Sequence, residues 1–294
     1  MPHTRILAAI EKRRGIDRRQ TNAVRLVDGT GDGLPGLFID DFAGRWLAQT
    51  LSETKPSFEN DLGFYSLYWK ALVKNAAAAP QHLAGELVTK PFHILESGLL
   101  FEIDFQSGGS SGIFLDQRIN RQKLRSVAHG KRALNTFSYT CAFGVAAAAA
   151  GAQTTNIDLS RRYLDWGKRN YQLNRIKDED HEFLAGDVFG WLKRFRRKGR
   201  KFDIIVLDPP TFSRDRTSNV FRVQEDYGRL VEMALECLNH QSLLLCCTNF
   251  RGLSSEEFLR ILKTTVPRPC QFSRGNMPPD FTGERYLKSV WLQL

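Results

Sequence analysis

Across the second half of the chain, short apolar runs alternate with stretches whose apolar residues recur at helical spacing. "RALNTFS" (132–138) is a strand-like run leading into a small-residue helix, "FGVAAAAAGA" (143–152). "TTNIDLS" (154–160) predicts a second strand, and Tyr163, Trp166, Asn170 and Leu173 then share one helical face within "RRYLDWGKRNYQLN" (161–174). "HEFLAGDV" (181–188) and "KFDIIVLDPP" (201–210) predict a third and a fourth strand, separated by the helical "FGWLKRF". "VFRVQEDYGRLVEMALECLN" (220–239) reads as a long helix and "SLLLCCTN" (242–249) as a fifth strand. "RYLKSVWLQL" (285–294) reads as one more strand, antiparallel at an edge. Strands that alternate with helices predict an α/β fold: a doubly wound, mostly parallel sheet with helices on both faces.

The first hundred residues follow another pattern. "AVRLVDGTGDGLPGLFIDDFAGRWLAQTL" (23–51) sets Gly/Asp turns between short β-rich runs. "NDLGFYSLYWKALVKN" (60–75) has amphipathic helical spacing, and "HILESGLLFEIDF" (93–105) reads as a hairpin. The expected organisation is a basic N-terminal arm (1–20), a small α+β domain (21–110) and the doubly wound domain (111–294).

Composition narrows the class. The chain has 294 residues, 42% of them hydrophobic, enough for an ordinary buried core. The longest small-apolar run, 143–152, is too short to span a bilayer, and "MPHTRILAAIEKRRG" carries no signal-peptide pattern. Five cysteines without framework spacing suit reduced thiols in a cytoplasmic protein, and no Cys/His spacing reads as a metal site. The net charge of +10 is uneven: "KRFRRKGRK" (193–201) holds seven cations and no acid, residues 1–20 carry +4, and the remainder is close to neutral. Two basic segments on a near-neutral body point to a polyanionic partner or to solvated faces.

In an open parallel sheet, ligands bind outside the carboxyl ends of the strands. The residues there are Ser138, Tyr139, Thr140 and Cys141 after the first strand, then Asp158, Asp187 and Asp208. An acid at the second strand end suits ribose hydroxyls, and one after the third suits an adenine amino group. Any single one of these acids also suits a helix N-cap. The first turn, "FSYTCAFG" (137–144), lacks G-x-G-x-x-G, so a nicotinamide cofactor is poorly supported. S-adenosylmethionine (SAM) has no pyrophosphate and needs less glycine there.

Four motifs occur in order: "GIFLDQRINRQKL" (112–124), "LNTFSYTCAFGVAAAAAGA" (134–152), "NIDLSRRYLDWGKRNYQLN" (156–174) and "LDPPTFS" (207–213). Together they resemble the class I, Rossmann-like SAM-dependent methyltransferases that modify 23S ribosomal RNA, in the cytosine-5 and guanine-N7 branches. "TNAVRLVDGTGDGLPGLFIDDF" (21–42) resembles the small domain that precedes the catalytic fold there.

The resemblance implies a role in rRNA processing and a set of positions. Phe114, Asp116, Gln117 and Arg118 would lie beside the cofactor, and Phe137, Ser138, Tyr139 and Thr140 near its methionine part. Asp158 would hold the ribose and Asp187 the adenine. Asp208, Pro209 and Pro210 would frame the target base, the prolines fixing φ and offering carbonyls without competing N–H donors. Two departures stand out. Cys141 and Ala142 occupy positions where the family usually has glycines, and only a basic stretch of about 20 residues precedes the match where the cytosine-5 branch usually carries an extra RNA-binding module.

Cytosine C5 methylation requires a thiolate that adds first to C6. "LLCCTNFRG" (244–252) offers Cys246 and Cys247, with Cys247 or Thr248 at the nucleophile position. "TNFRG", however, is more similar to the guanine-N7 branch, whose acceptor already has a lone pair. The expected function is therefore SAM-dependent methylation of an RNA base, leaning to a purine nitrogen such as guanine N7. Cytosine C5 through Cys247 or Cys246 is the alternative. A non-catalytic RNA-binding or ribosome-assembly protein on the same fold is a third reading. The basic run 193–201 should lie at the amino edge of the sheet, away from the cleft. The N-terminal arm, Arg214 and Arg216 are the expected RNA contacts.

Overall fold

A computed structural model describes residues 2–294 apart from 60–61, 73–78, 109, 215–219 and 267–269. The chain forms two compact units. One comprises Met1–Arg118 and Met277–Arg285, the other Ile119–Asn276 and Tyr286–Leu294.

In the first unit, helix α1 (Pro2–Lys12) precedes five strands, β1 (Ala23–Asp28), β2 (Leu37–Phe42), β3 (Arg45–Thr50), β4 (Ser66–Ala71) and β5 (Gln81–Gly85), which pair in sequence order. Only β3 and β4 are parallel. The expected hairpin is present as β6 (Phe92–Glu96) and β7 (Leu99–Ile103). The amphipathic helix read over 60–75 is instead β4, its outer residues 60–61 and 73–75 falling outside the described set. β4 lies between β3 and β5, and Ser66–Lys70 are all buried. A strand buried on both faces reads as a continuous apolar run, so the helical spacing there is coincidental.

The basic arm 1–20 contains helix α1. α1 packs Ile6 and Ala9 into a core with Val24, Leu26, Ile39, Trp46 and Trp69. Arg13 is 2% exposed and forms an ion pair with Asp32 at 2.7 Å, while Arg18 pairs with Asp41 at 3.0 Å. These two cations are tied into the fold, while Arg14 and Arg19 are exposed, paired with Glu11 and Asp17.

The stretch Met277–Arg285, assigned from sequence to the second domain, groups with the first unit. Asp280 accepts from Arg25 N at 2.8 Å and pairs with Arg118, while Gly283 N donates to Asp28 at 2.6 Å. Gly31 lies so close to this segment that a Cβ would overlap the Thr282 carbonyl and sit 2.5 Å from Gly283 N.

The second unit is built on a seven-stranded sheet. Its elements in chain order are α2 (Arg118–Val127), β8 (Arg132–Thr136), α3 (Ala142–Ala148), β9 (Gln153–Asp158), α4 (Arg161–Leu173), β10 (Glu182–Ala185), α5 (Val188–Arg197) and β11 (Phe202–Leu207). A short hairpin of β12 (Phe212–Arg214) and β13 (Val220–Arg222) follows, then α6 (Val223–Leu235), β14 (Leu238–Thr248), α7 (Ser255–Thr265), β15 (Gln271–Arg274) and β16 (Lys288–Gln293). The strand order is β10-β9-β8-β11-β14-β16-β15, reversing direction between β8 and β11. The first five strands are parallel, and β16 runs antiparallel to β14 as expected. It is not the edge, because β15 pairs outside it. The doubly wound sheet read from the sequence is thus present.

Local sequence explains the layering. β11 reads "FDIIVL" and is buried along nearly its whole length. α6 presents Val223, Tyr227, Leu230, Val231 and Ala234 to the sheet at helical spacing. It is shorter than the expected 220–239, since Val220–Arg222 pairs with β12. α3 approaches β9 so closely that a Cβ on Gly144 would overlap Asn156 Oδ1 and lie 2.5 Å from the Tyr171 hydroxyl.

Candidate active site

Register brings the strand ends together. Thr136 at the end of β8 stands beside Ile157 on one side and Leu207 on the other, and Ala185 stands beside Asp158. Segments leaving β8, β9, β10 and β11 therefore emerge along one carboxyl edge, beside the reversal of strand order where such folds bind ligands.

The turn after β8 has an unusual backbone. Phe137, Tyr139 and Cys141 have φ of 51°, 48° and 62°. A non-glycine residue in the left-handed region costs roughly 1–2 kcal/mol, so the surroundings must hold this turn in place. They do so through its backbone groups. Ser138 N donates to Ile157 O at 2.9 Å and Cys141 N to Ser138 O at 2.7 Å. Asn170 Nδ2 donates to Thr140 O at 2.9 Å, and Tyr139 N donates to the Asp158 carboxylate at 2.8 Å. The Tyr139 ring packs edge-on against Tyr163 at 4.6 Å.

Asp158 is the hub. Its second oxygen accepts from Ser160 N at 2.8 Å. Burial raises its carboxyl above the ordinary range, while the two N–H donors pull it back. Each oxygen therefore has one backbone donor and capacity for another, an arrangement suited to a vicinal diol. Ser138 Oγ and Trp166 Nε1 are also buried, with no nitrogen or oxygen partner among the described residues. Buried polar atoms without a nitrogen or oxygen partner fit a site that a polar ligand completes.

Asp187 follows β10 one strand over and caps α5, accepting from Gly190 N at 2.7 Å. It remains half-buried, with one oxygen taken by the cap. Asp208 follows β11 and is also half-buried, next to a buried Pro209 and an exposed Pro210. The sequence-predicted trio Asp158, Asp187 and Asp208 thus sits at the carboxyl ends of three strands of one sheet.

Cys141 packs against α4. It is fully buried, and a Cβ on Gly167 of α4 would overlap its Sγ and lie 2.9 Å from its Cβ. The thiol fills the gap between the turn and α4, and burial pushes its pKa up. Cys246 and Cys247 are both fully buried within β14. Burial likewise raises the Cys246 thiol, whose side chain belongs to the core formed with Leu244, Val290 and Phe258.

The remaining predicted positions lie in the first unit. Phe114 is 49% exposed, Asp116 and Gln117 are buried in a 3-10 turn, and Arg118 donates to Ala23 O at 3.3 Å besides pairing with Asp280. Arg214 belongs to β12, and Arg216 lies outside the described residues.

Sequence reasoning missed three residues of this edge. Ser160 supplies one donor to Asp158 and caps α4, accepting from Tyr163 N. Its signal is a serine just before a helical run. Gly186 has φ of 145°, and a Cβ there would meet Trp191 Nε1 at 2.9 Å. A glycine between a strand and an N-cap acid is the corresponding sign. Tyr227 donates from its hydroxyl to Leu207 O at 3.2 Å and to Cys247 O at 3.0 Å, tying the ends of β11 and β14 together. Nothing in the sequence marks it beyond a tyrosine on an apolar face.

Comparison with known proteins agrees with the fold. Residues 39–285 match the family described as S-adenosylmethionine-dependent methyltransferase. A ribosomal RNA large subunit methyltransferase from Deinococcus radiodurans is 30% identical over 302 residues, covering 93% of this chain and 73% of that protein. Ribosomal RNA large subunit methyltransferase K from Neisseria meningitidis is 40% identical over 196 residues. That match covers 66% of this chain and only 54% of the relative, so the chain spans about half of that protein. SMU.776, named as a methyltransferase and solved in complex with SAH, superposes with a TM-score of 0.89 at 30% identity, over 99% of this chain and 80% of that one. With the family match running through both the carboxyl-edge turn and its acids, the chain belongs to the S-adenosylmethionine-dependent methyltransferase family.

Proposed function

We propose that this chain methylates a base of RNA, with large-subunit ribosomal RNA as the substrate class and a purine ring nitrogen, guanine N7, as the acceptor. The substrate class is supported by the names of the relatives and by the net charge of +10. Exposed Arg161 and Arg162 on the first turn of α4, just past Asp158, add local support. We assign the chemistry to residues 111–294, and the reaction to the cytoplasm, where free thiols such as the five here persist.

When bound, S-adenosylmethionine supplies an electrophilic methyl on its sulfonium. The chain's part is to hold both reactants. Asp158 accepts from ribose hydroxyls, Asp187 accepts from the adenine amino group, and the turn Phe137–Thr140 encloses the methionine end. Phe114, Asp116 and Gln117 belong to the same proposed set. Asp208, Pro209 and Pro210 hold the flipped base in plane. Guanine N7 already carries a lone pair, so alignment and exclusion of water suffice and no general base is needed.

The observation that carries the choice of nitrogen is the burial of Cys246 and Cys247, both at 0% exposure inside β14. A C5 methyltransferase needs a thiolate at the base; a buried thiol is poorly placed to supply one, and burial raises the pKa of Cys246. The test is in vitro methylation of large-subunit RNA, followed by nucleoside mass spectrometry, for the wild type and the Cys246→Ala/Cys247→Ala variant. Methylated guanosine in both supports the proposal. Methylated cytidine that vanishes in the double variant overturns it.

A further inference from the structure

The basic run 193–201 takes no part in the site above, yet the fold gives it a definite form. α5 buries Val188, Leu192 and Phe195 against the sheet. Its opposite side therefore carries Lys193, Arg194, Arg196, Arg197 and, at the C-cap, Lys198, all exposed. Three cations of the run are committed within the fold. Arg200 pairs with Glu182, donates to Thr155 Oγ1 at 2.8 Å and stacks over Phe195 and Phe202 at 4.9 and 5.0 Å. Arg196 pairs with Glu236 at 3.1 Å, and Lys201 donates to Glu236 O at 2.7 Å. These contacts fix the end of α5 and the turn into β11.

The other four make no ion pair among the described residues. Arg194 lies over the Trp191 ring at 5.1 Å; Lys193, Arg197 and Lys198 are exposed. Lys193 and Arg197, and likewise Arg194 and Lys198, stand one turn apart. Like charges at that spacing destabilise a helix, and the helix C-terminal dipole offsets part of this. A face that concentrates such repulsion has the chemistry of a phosphate-binding surface.

We propose that this face of α5 grips the phosphodiester backbone of the RNA substrate outside the methylated nucleotide, without reading sequence. The inference rests on the RNA reading above. α5 starts at Asp187 on the carboxyl edge, and ten residues at 1.5 Å each carry its basic end about 15 Å away. That distance is too great for holding the target base and suits neighbouring phosphates of the same RNA. An anionic membrane surface fits less well. The apolar side of α5 is buried in the core, and none of the large exposed hydrophobic residues of the described chain lies on it.

The test uses the full chain and a large-subunit RNA fragment, with binding measured across a salt series. The variant is Lys193→Gln/Arg197→Gln/Lys198→Gln. The control removes three exposed cations elsewhere, Lys131→Gln/Arg260→Gln/Lys263→Gln. We expect the triple variant to lose about two units of the log K against log salt slope and about tenfold or more in affinity near 0.1 M salt. The control should change little, and SAH affinity by calorimetry should be equal in all three proteins. A triple variant with wild-type slope, or a control that loses as much, overturns the α5 assignment while leaving the RNA reading intact. A wild type that binds no RNA overturns the RNA reading itself. Binding to anionic lipid vesicles that falls in the triple variant, with RNA binding unmoved, replaces RNA by a lipid surface and also overturns the proposal.

Discussion

Tyr227→Phe isolates the hydroxyl that ties two strand ends to each other. The phenol is fully buried, and its burial raises its pKa well above the ordinary value, so at neutral pH it is a donor. Its single proton is shared between Leu207 O at 3.2 Å and Cys247 O at 3.0 Å, directly before Asp208 and Thr248. Phenylalanine keeps the ring and its edge-on contact with Phe258 at 4.9 Å, so nearly all packing survives. What is lost is one donor facing two buried carbonyls, a cost of about 1–3 kcal/mol. Tyr227→Ala would add a cavity, raising the loss to about 3–5 kcal/mol. Urea unfolding of the three proteins measures both differences. Because Leu207 precedes Asp208, proposed above to hold the target base, methyl transfer at saturating SAM should also slow in Tyr227→Phe while SAH affinity holds. A phenylalanine variant within about 0.5 kcal/mol of wild type, the range of neutral surface changes, would refute the assignment of a structural tie.

Gly144→Ala should cost about 1–3 kcal/mol by overpacking, since its Cβ would press on Asn156, itself bonded to Asn135 at 3.1 Å and Tyr171 at 3.0 Å; a thermal midpoint equal to wild type would contradict that contact. Gly167→Ala should be destabilising in the wild-type background and much less so with Cys141→Gly, because the thiol it meets is gone; strictly additive unfolding energies would rule out the contact. His181 accepts from Thr154 N at 3.1 Å, and burial lowers its pKa below 6.5, against the pull of Asp180 and Asp178. The unfolded chain then binds the proton more readily, so this contribution is full above about pH 6.5 and is lost as pH falls through the folded pKa. His181→Asn, whose Oδ1 can accept the same N–H, should flatten the acid-side decline in urea midpoints; parallel pH profiles for the two proteins would count against it.

Much of the second unit was legible because its signals are local. A strand such as "FDIIVL" shows as an apolar run interrupted only by the half-buried Asp203, and two of the four stripe positions read on α4, Trp166 and Asn170, are buried. The acids at the strand ends followed from topology, since the residue leaving a parallel strand must face the ligand edge. Two kinds of feature were not legible. One is cancellation between local and tertiary preference: 66–71 has helical spacing, and pairing on both sides makes it a strand. The other is partnership between distant residues. Nothing near Arg13 or Arg118 announces Asp32 or Asp280, so the cations of the first twenty residues looked free when several were committed. α7 lay between these cases: Ser254 and Glu257 form a capping box that marks its start, a short-range sign that was overlooked.

The excursion of Met277–Arg285 bears on how the molecule can be made. Asp280 gives its carbonyl to Arg13 at 2.6 Å and its carboxylate to Arg118 and the Arg25 amide, while Thr282 donates to Asp32 at 3.2 Å. Translation delivers these partners after nearly every residue of the other unit, so the portion that leaves the ribosome first is the one completed last. A gene fragment ending at codon 118 would lack the Asp280 carboxylate that pairs with Arg118 and the Asp280 carbonyl that accepts from Arg13. The two halves of this chain are therefore not separable cassettes, and supplying residues 277–285 as a separate peptide is the natural way to restore the shortened product.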